Sequence, residues 1–144
     1  MYRLVYDRTD ELLRWAAERI GVERFKDDAK AIGQERNGEI CAVVVYDCFS
    51  ETDCNMHIAS DGSRKWLTRD LLVAAFSFPF VQCGFRRVTG LVPASNEAAL
   101  RFDEHIGFRR EGYHPLAAPD GGDLISLGLL RKDCRYIPAR FRND

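Results

Sequence analysis

Residues 92–112 read VPASNEAALRFDEHIGFRREG, and this stretch contains a strand end, a helix start, a helix stop and a strand start. Ser95 and Asn96 have short polar side chains that accept from the free amides of a first helical turn, so either can serve as the N-cap. Ala99, Phe102 and Ile106 recur at i, i+3 and i+7 on one stripe, while Glu97, Arg101, Asp103 and Glu104 fall mostly off it. The spacing predicts an amphipathic helix with one face in a core. Gly107 can take the conformation that ends a helix, and Phe108 beyond it can fold back toward Phe102.

The neighbouring segments are legible by the same local rules. Upstream, residues 86–92 form an extended run, preceded by a helical period over 67–78 that Pro79 is expected to limit and by a CGF turn. Residues 54–59 predict a strand. The runs AKAIGQER and EICAVVVYDCF flank Asn37-Gly38, a strong short hairpin signal. YRLVY at 2–6 alternates like a strand, and Thr9 or Asp10 is expected to cap a helix carrying Leu12, Leu13, Ala16 and Ile20 at helical spacing. Downstream, FRREGYH and DLISLGLL predict a final strand pair around the loop PLAAPDGG. CGFRR at 83–87 and IGFRR at 106–110 both close a helix and open a strand, which suggests a βαβα rhythm after an antiparallel first half. The expected fold is α+β, three-layered, a single domain over residues 1–144 with a mixed, mostly antiparallel sheet and helices on both faces.

Composition narrows the function classes. A chain of 144 residues with 46% hydrophobic and 30% charged residues and net charge −1 has no global field to attract nucleic acid or an anionic membrane. LLVAAFSFPFV at 71–81 is too short for a bilayer span of about 20 residues. The charged first residues lack an apolar signal core, so a cytoplasmic protein is expected. The five cysteines show no C-x-x-C pair and are expected to be buried small hydrophobes. His57, His105 and His114 have no metal-ligand spacing, so no metal is expected. Arg131, Lys132, Arg135, Arg140 and Arg142 are interspersed with acids and are read as a solvated tail rather than a nucleic-acid surface.

The element order, together with Asn96, Ala99, Gly107 and Phe108, resembles the GNAT acetyltransferase superfamily. Its second cofactor motif has the form N-x-x-A/S, then G-F eight residues on. The likeness is greatest to the branch that acetylates protein amino termini or small amines. It implies acetyl-CoA as co-substrate and a primary amine, small-molecule or protein-borne, as acceptor, in a monomer or homodimer. It also implies that Asn96, Ala99 and Phe102 lie along the pantetheine arm, and that a backbone amide near Ile58, Ala59 and Ser60 stabilises the thioester carbonyl. The family's phosphate loop, Q/R-x-x-G-x-G/A, falls on Ser63, Arg64, Lys65, Trp66, Leu67 and Thr68. Trp66 stands where a glycine is usual. Arg64 and Lys65 place positive charge at a helix start, unfavourable to the helix dipole unless an anion binds there.

The proton-transfer residues depart further from the family. Many relatives have a tyrosine acid seven residues after the asparagine, where this chain has Asp103. A carboxyl would need its pKa raised by about three units, roughly 4 kcal/mol, to act as an acid near pH 7. A polar helix face does not supply that, so Asp103 is expected to be solvated or to bind a cationic substrate, and Tyr113 is either the substitute acid or a strand residue packing outward. The glutamate that the amino-terminal branch keeps five residues before the asparagine is Leu91 here. Glu51 and Asp53 are the first replacements as base, with His57 third because a free imidazole titrates near pH 6.5. His114 and Asp123 flank the last loop and would line the acceptor cleft. These departures leave a second expectation open, a catalytically weak or inactive GNAT-fold module that binds CoA or a protein partner.

Overall fold

Asn37 and Gly38 both take positive φ, 53° and 86°, and turn the chain between β2 (Lys30–Arg36) and β3 (Glu39–Asp47). The computed structural model describes residues 1–143. The other strands are β1 (Tyr2–Val5), β4 (Asn55–Ser60), β5 (Arg87–Pro93), β6 (Arg109–His114) and β7 (Leu124–Leu130). The α-helices among the described residues are α1 (Thr9–Ile20), α2 (Arg69–Ser77) and α3 (Glu97–His105). One seven-stranded sheet runs in the order β1-β2-β3-β4-β5-β7-β6. Its neighbours are antiparallel except β4 and β5, because α2 is a crossover that returns the chain in the same direction. The expected α+β architecture is therefore present.

Each face buries its own core. Leu12 and Ala16 of α1 pack on Val43 and Val45 of β3 and Ala59 of β4. On the opposite face, Leu71 and Phe76 of α2, Leu100 of α3 and Ile106 at the end of that helix pack on Val44, Tyr46, Val88 and Leu127. Leu12 is fully buried and lies against Gly33 of β2, where an added Cβ would come within 2.4 Å of the Leu12 side chain. Leu12→Ala is expected to cost about 2 to 5 kcal/mol by lost burial and a residual cavity. Urea denaturation measures this, and a loss under 1 kcal/mol would show that α1 contributes little to the core.

Several local expectations are corrected. Thr9 and Asp10 lie inside the first turn of α1, whose N-cap position is Arg8 without a side-chain cap bond. The acids Asp10 and Glu11 meet the helix dipole there instead. As expected, α2 ends at Ser77, just before Pro79, but a π turn then continues the helical path from Phe78 to Gln82, and the Cys83 amide donates to the Phe78 carbonyl at 3.0 Å. On α3, Leu100 is the buried residue, while Ala99 and Phe102 are half-buried toward the neighbouring loop. Cys41, Cys54 and Cys134 are buried thiols, but Cys48 and Cys83 are exposed because they sit at element ends. No helix of the described residues is long and apolar enough to cross a membrane.

Candidate active site

The parallel pair β4 and β5 is joined at one position, Asn55 opposite Thr89, with the Thr89 amide donating to the Cys54 carbonyl at 3.0 Å. Asp53 fastens this junction: its Oδ2 accepts from Thr89 Oγ1 at 2.9 Å and its Oδ1 from Ser50 Oγ at 3.0 Å. Beyond the junction the strands part. The β4 edge at 57–60 and the β5 edge at 90–93 share no register pair, so their backbone groups facing the opening are available to a ligand. Ile58, Ala59 and Ser60 lie along this edge.

Asp103 reaches the opening from the α2 and α3 face. Gly90 is the first β5 residue past the junction, and Asp103 Oδ2 lies 3.5 Å from where a Gly90 Cβ would stand. The missing side chain makes room for the carboxyl. Asp103 is thus half-buried rather than fully solvated on its helix face. Burial pushes its carboxyl up to about 7, the nearby Glu104 charge adds to the rise, and His57 opposes it. The tertiary contact of α3 with β5 supplies the desolvation that a polar helix face alone does not.

His57 approaches from the α1 face. It pairs with Val45 across β4 and β3, and its Nε2 lies 2.9 Å from Asp47 Oδ1. Asp47 is 5% exposed. Burial alone would raise its carboxyl, but the His57 hydrogen bond and charge, with a backbone bond from Lys26, hold it below the ordinary carboxylate range. The Phe25 ring, on the loop after α1, lies 5.4 Å from the imidazole. A cavity of about 300 Å³ opens here, lined by Ile20, Phe25, Lys26, Asp27, Asp47 and His57 among others. A carboxylate that orients an imidazole beside a cavity is an arrangement suited to proton abstraction.

The loop before α2 is exposed at Arg64 and Lys65 and half-buried at Trp66. Asp61 Oδ1 accepts from the Ser63 amide at 2.9 Å and from its hydroxyl at 2.7 Å, and the Lys65 amide donates to Ser63 Oγ at 3.2 Å. Thr68 is the N-cap of α2, accepting from the Leu71 amide at 3.1 Å. Gln34 of β2 donates to the Trp66 carbonyl at 2.6 Å and accepts from the Thr68 hydroxyl at 2.5 Å. Tyr2 of β1 donates to the Lys65 carbonyl at 2.5 Å. The Trp66 ring stands 5.3 Å from Phe102 of α3. Among the described residues, the non-glycine positions with positive φ are Asn37, Cys48 and Leu116, so Trp66 occupies its place without a left-handed backbone. The residues present therefore fit a phosphate-bearing cofactor: cations at the loop surface, carbonyls turned inward, and an open strand edge below.

The remaining predicted residues sit elsewhere. Glu51 is exposed in the turn before β4. β6 is the edge strand, two strands from the opening, and there the Tyr113 hydroxyl donates to Asp123. Asp123 also accepts from the Leu116 amide at 2.9 Å, and His114 Nε2 lies 3.0 Å from Ser126 Oγ. Tyr113, His114 and Asp123 thus form a group around the last loop. Of the two candidate caps, Asn96 accepts from the Ala99 amide at 3.2 Å, while Ser95 donates to Asp120 at 2.8 Å. In the basic tail, Arg135 donates to the His105 carbonyl at the end of α3, and Arg142 donates to the Ile137 carbonyl. Asp47, Gln34 and Tyr2 were not anticipated. A glutamine at an inward position of a strand, two residues from Ile32, is the signal that a buried partner exists.

No protein-family model matches the chain, and no curated protein matches it in sequence. Solved structures do match its shape over 90% of its length. A mutant of the spermidine N-acetyltransferase SpeG from Vibrio cholerae aligns with a TM-score of 0.73 at 13% identity, covering 93% of that chain. The yncA protein of Salmonella typhimurium, solved with its cofactor acetyl-CoA, aligns at 0.70 and 14%, covering 93% of that chain. The ribosomal-protein-S18-alanine N-acetyltransferase of Escherichia coli aligns at 0.67 and 19%, covering 94% of that chain. Identities this low speak to architecture, and the parted β4/β5 pair within this sheet order gives the chain the fold of the GNAT acetyltransferases.

Proposed function

We propose that the chain is an acetyl-CoA-dependent N-acetyltransferase of the cytoplasm acting on a primary amine. The observation that carries this reading is the β4/β5 opening with His57 and Asp47 on one face of the sheet and Asp103 on the other. When bound, acetyl-CoA supplies a thioester whose acyl carbon accepts the amine and whose thiolate departs. His57, held by Asp47, takes the proton from the amine arriving through the cavity beside Phe25. Asp103, protonated near neutral pH by its burial, gives a proton to the departing sulfur. Backbone amides on the free β4 edge at 58–60 are placed to meet the charge developing on the carbonyl oxygen. An α-amine, with a reference pKa near 7.8, needs less from a histidine base than a lysine amine near 10.4. The names of the structural neighbours include both a polyamine and a protein alanine as acceptors.

The second reading, a CoA-binding module with little catalysis, is favoured by the Trp66 and Phe102 contact, which narrows the slot between the phosphate loop and α3. One pair of measurements separates the two. The chain is titrated calorimetrically with CoA, then incubated with acetyl-CoA and a panel containing a peptide with a free amino terminus, spermidine and lysine, while thiol release is followed. Binding together with release supports the enzyme. Binding without release for any amine favours the module, and absence of binding removes the enzyme and leaves a module that works through a protein partner.

A further inference from the structure

We propose that Gln34, a β2 residue outside the cleft, is a positioning residue for the cofactor's phosphates: assisted by Tyr2, it holds the glycine-free loop with its amides facing outward. This rests on the reading that the chain binds CoA. A glycine-rich loop presents its amides because no Cβ stands in the way. Here another device is visible. Gln34 is 1% exposed, and a buried carboxamide is costly unless both of its ends are bonded. Both ends bond this loop, Nε2 donating to the Trp66 carbonyl and Oε1 accepting from the Thr68 hydroxyl, while Nε2 also donates to Cys41 Sγ of β3 at 3.4 Å. Tyr2 draws the Lys65 carbonyl toward β1 in the same way.

Peptide planarity converts these bonds into a direction. In a trans peptide the N–H points opposite to the preceding C=O, and the described chain has no cis bond. With the Lys65 and Trp66 carbonyls held toward β1 and β2, the Trp66 and Leu67 amides point away from those strands. The first-turn amides of α2 at Arg69 and Asp70 have no intrahelical acceptor and continue the row. Gln34 also orients Thr68 Oγ1, which donates to it and is thereby set to accept from Leu71. One side chain thus fixes both the loop and the cap of the helix behind it. Arg64 and Lys65, exposed at the same loop, add charge to the oriented amides.

The test compares CoA with pantetheine, which lacks the pyrophosphate, on the full chain. Gln34→Met keeps side-chain volume and removes both loop bonds. It is expected to weaken CoA binding by about tenfold in calorimetry while leaving pantetheine binding, followed by chemical-shift titration, unchanged. Tyr2→Phe, at the exposed end of β1, removes a single bond and is expected to weaken CoA about threefold with thermal stability unaltered. A folded Gln34→Met that binds CoA as tightly as the unmodified chain overturns the proposal, as does an equal loss for CoA and pantetheine. If Gln34→Met does not fold, unchanged CoA affinity in Tyr2→Phe overturns it. Lack of CoA binding by the unmodified chain brings down the acetyltransferase reading and this proposal together. Binding that neither variant alters brings down the Gln34 role alone.

Discussion

Asp103→Asn is expected to lower turnover by about 10²- to 10³-fold while making the folded chain more stable at neutral pH. The two effects have one origin. The folded carboxyl titrates at about 7, above the ordinary carboxylate value that it has in the unfolded chain. Between pH about 4 and 7, therefore, the folded state holds a proton that the unfolded state has released, and stability falls as pH rises through that window. Above it the loss is constant. Three units correspond to roughly 4 kcal/mol, and solvent screening at a half-buried site reduces the expectation to about 2 kcal/mol. Asparagine carries no charge and escapes the loss, so urea denaturation is expected to show the variant more stable by about that amount at pH 8 and near parity below pH 4. The alkaline limb of turnover above pH about 7, where Asp103 loses its proton, is expected to vanish in the variant. Stability gained with turnover intact would leave Asp103 a buried spectator and return the search for an acid to Tyr113.

His57→Ala is expected to lower kcat/KM by about 10²-fold near pH 7, with the deficit shrinking at high pH, where the acceptor amine deprotonates without help. Asp47→Asn is expected to give a smaller kinetic loss, because the imidazole remains but loses its orienting carboxylate. It also has a stability signature opposite to that of Asp103. The folded Asp47 carboxyl lies below the ordinary range, so its contribution is present above the unfolded value near 4 and is lost as pH falls through the folded value. Asp47→Asn is accordingly expected to be less stable than the unmodified chain at neutral pH, with the gap closing in acid. Full activity in His57→Ala at pH 7 would assign the base to Asp53, Glu51 or a bound water.

The residues that were legible in the sequence are those whose signals are local. Asn37-Gly38 marked the hairpin because two adjacent positive φ values suit that dipeptide. Asn96, the stripe on α3 and Gly107 marked a helix with both of its ends. The Gly107 stop is closed by the Phe108 amide donating to the Asp103 carbonyl at 2.9 Å. Pro79 marked the end of α2 at Ser77, whereas the wider turn that follows, with Pro79 and Phe80 buried, depends on tertiary packing. The pairing of β5 with β7 rather than with β6, which follows it sooner in the chain, could not be read from periodicity, because β6 is exposed along almost its whole length and carries no apolar period.

By itself the sequence determined the order of the elements, the α+β class and the helix that carries the family likeness, since caps, turns and apolar periods act over a few residues. Only the tertiary structure decided the chemistry of the site. Asp103 is drawn partly out of solvent because α3 lays it over Gly90, 13 residues away in the chain. His57 acquires Asp47 because β3 and β4 are paired. Gln34 reaches Thr68 across 34 residues because α2 starts over β2. Desolvation and hydrogen-bond partners depend on which distant segments meet, and neither composition nor spacing contains that information.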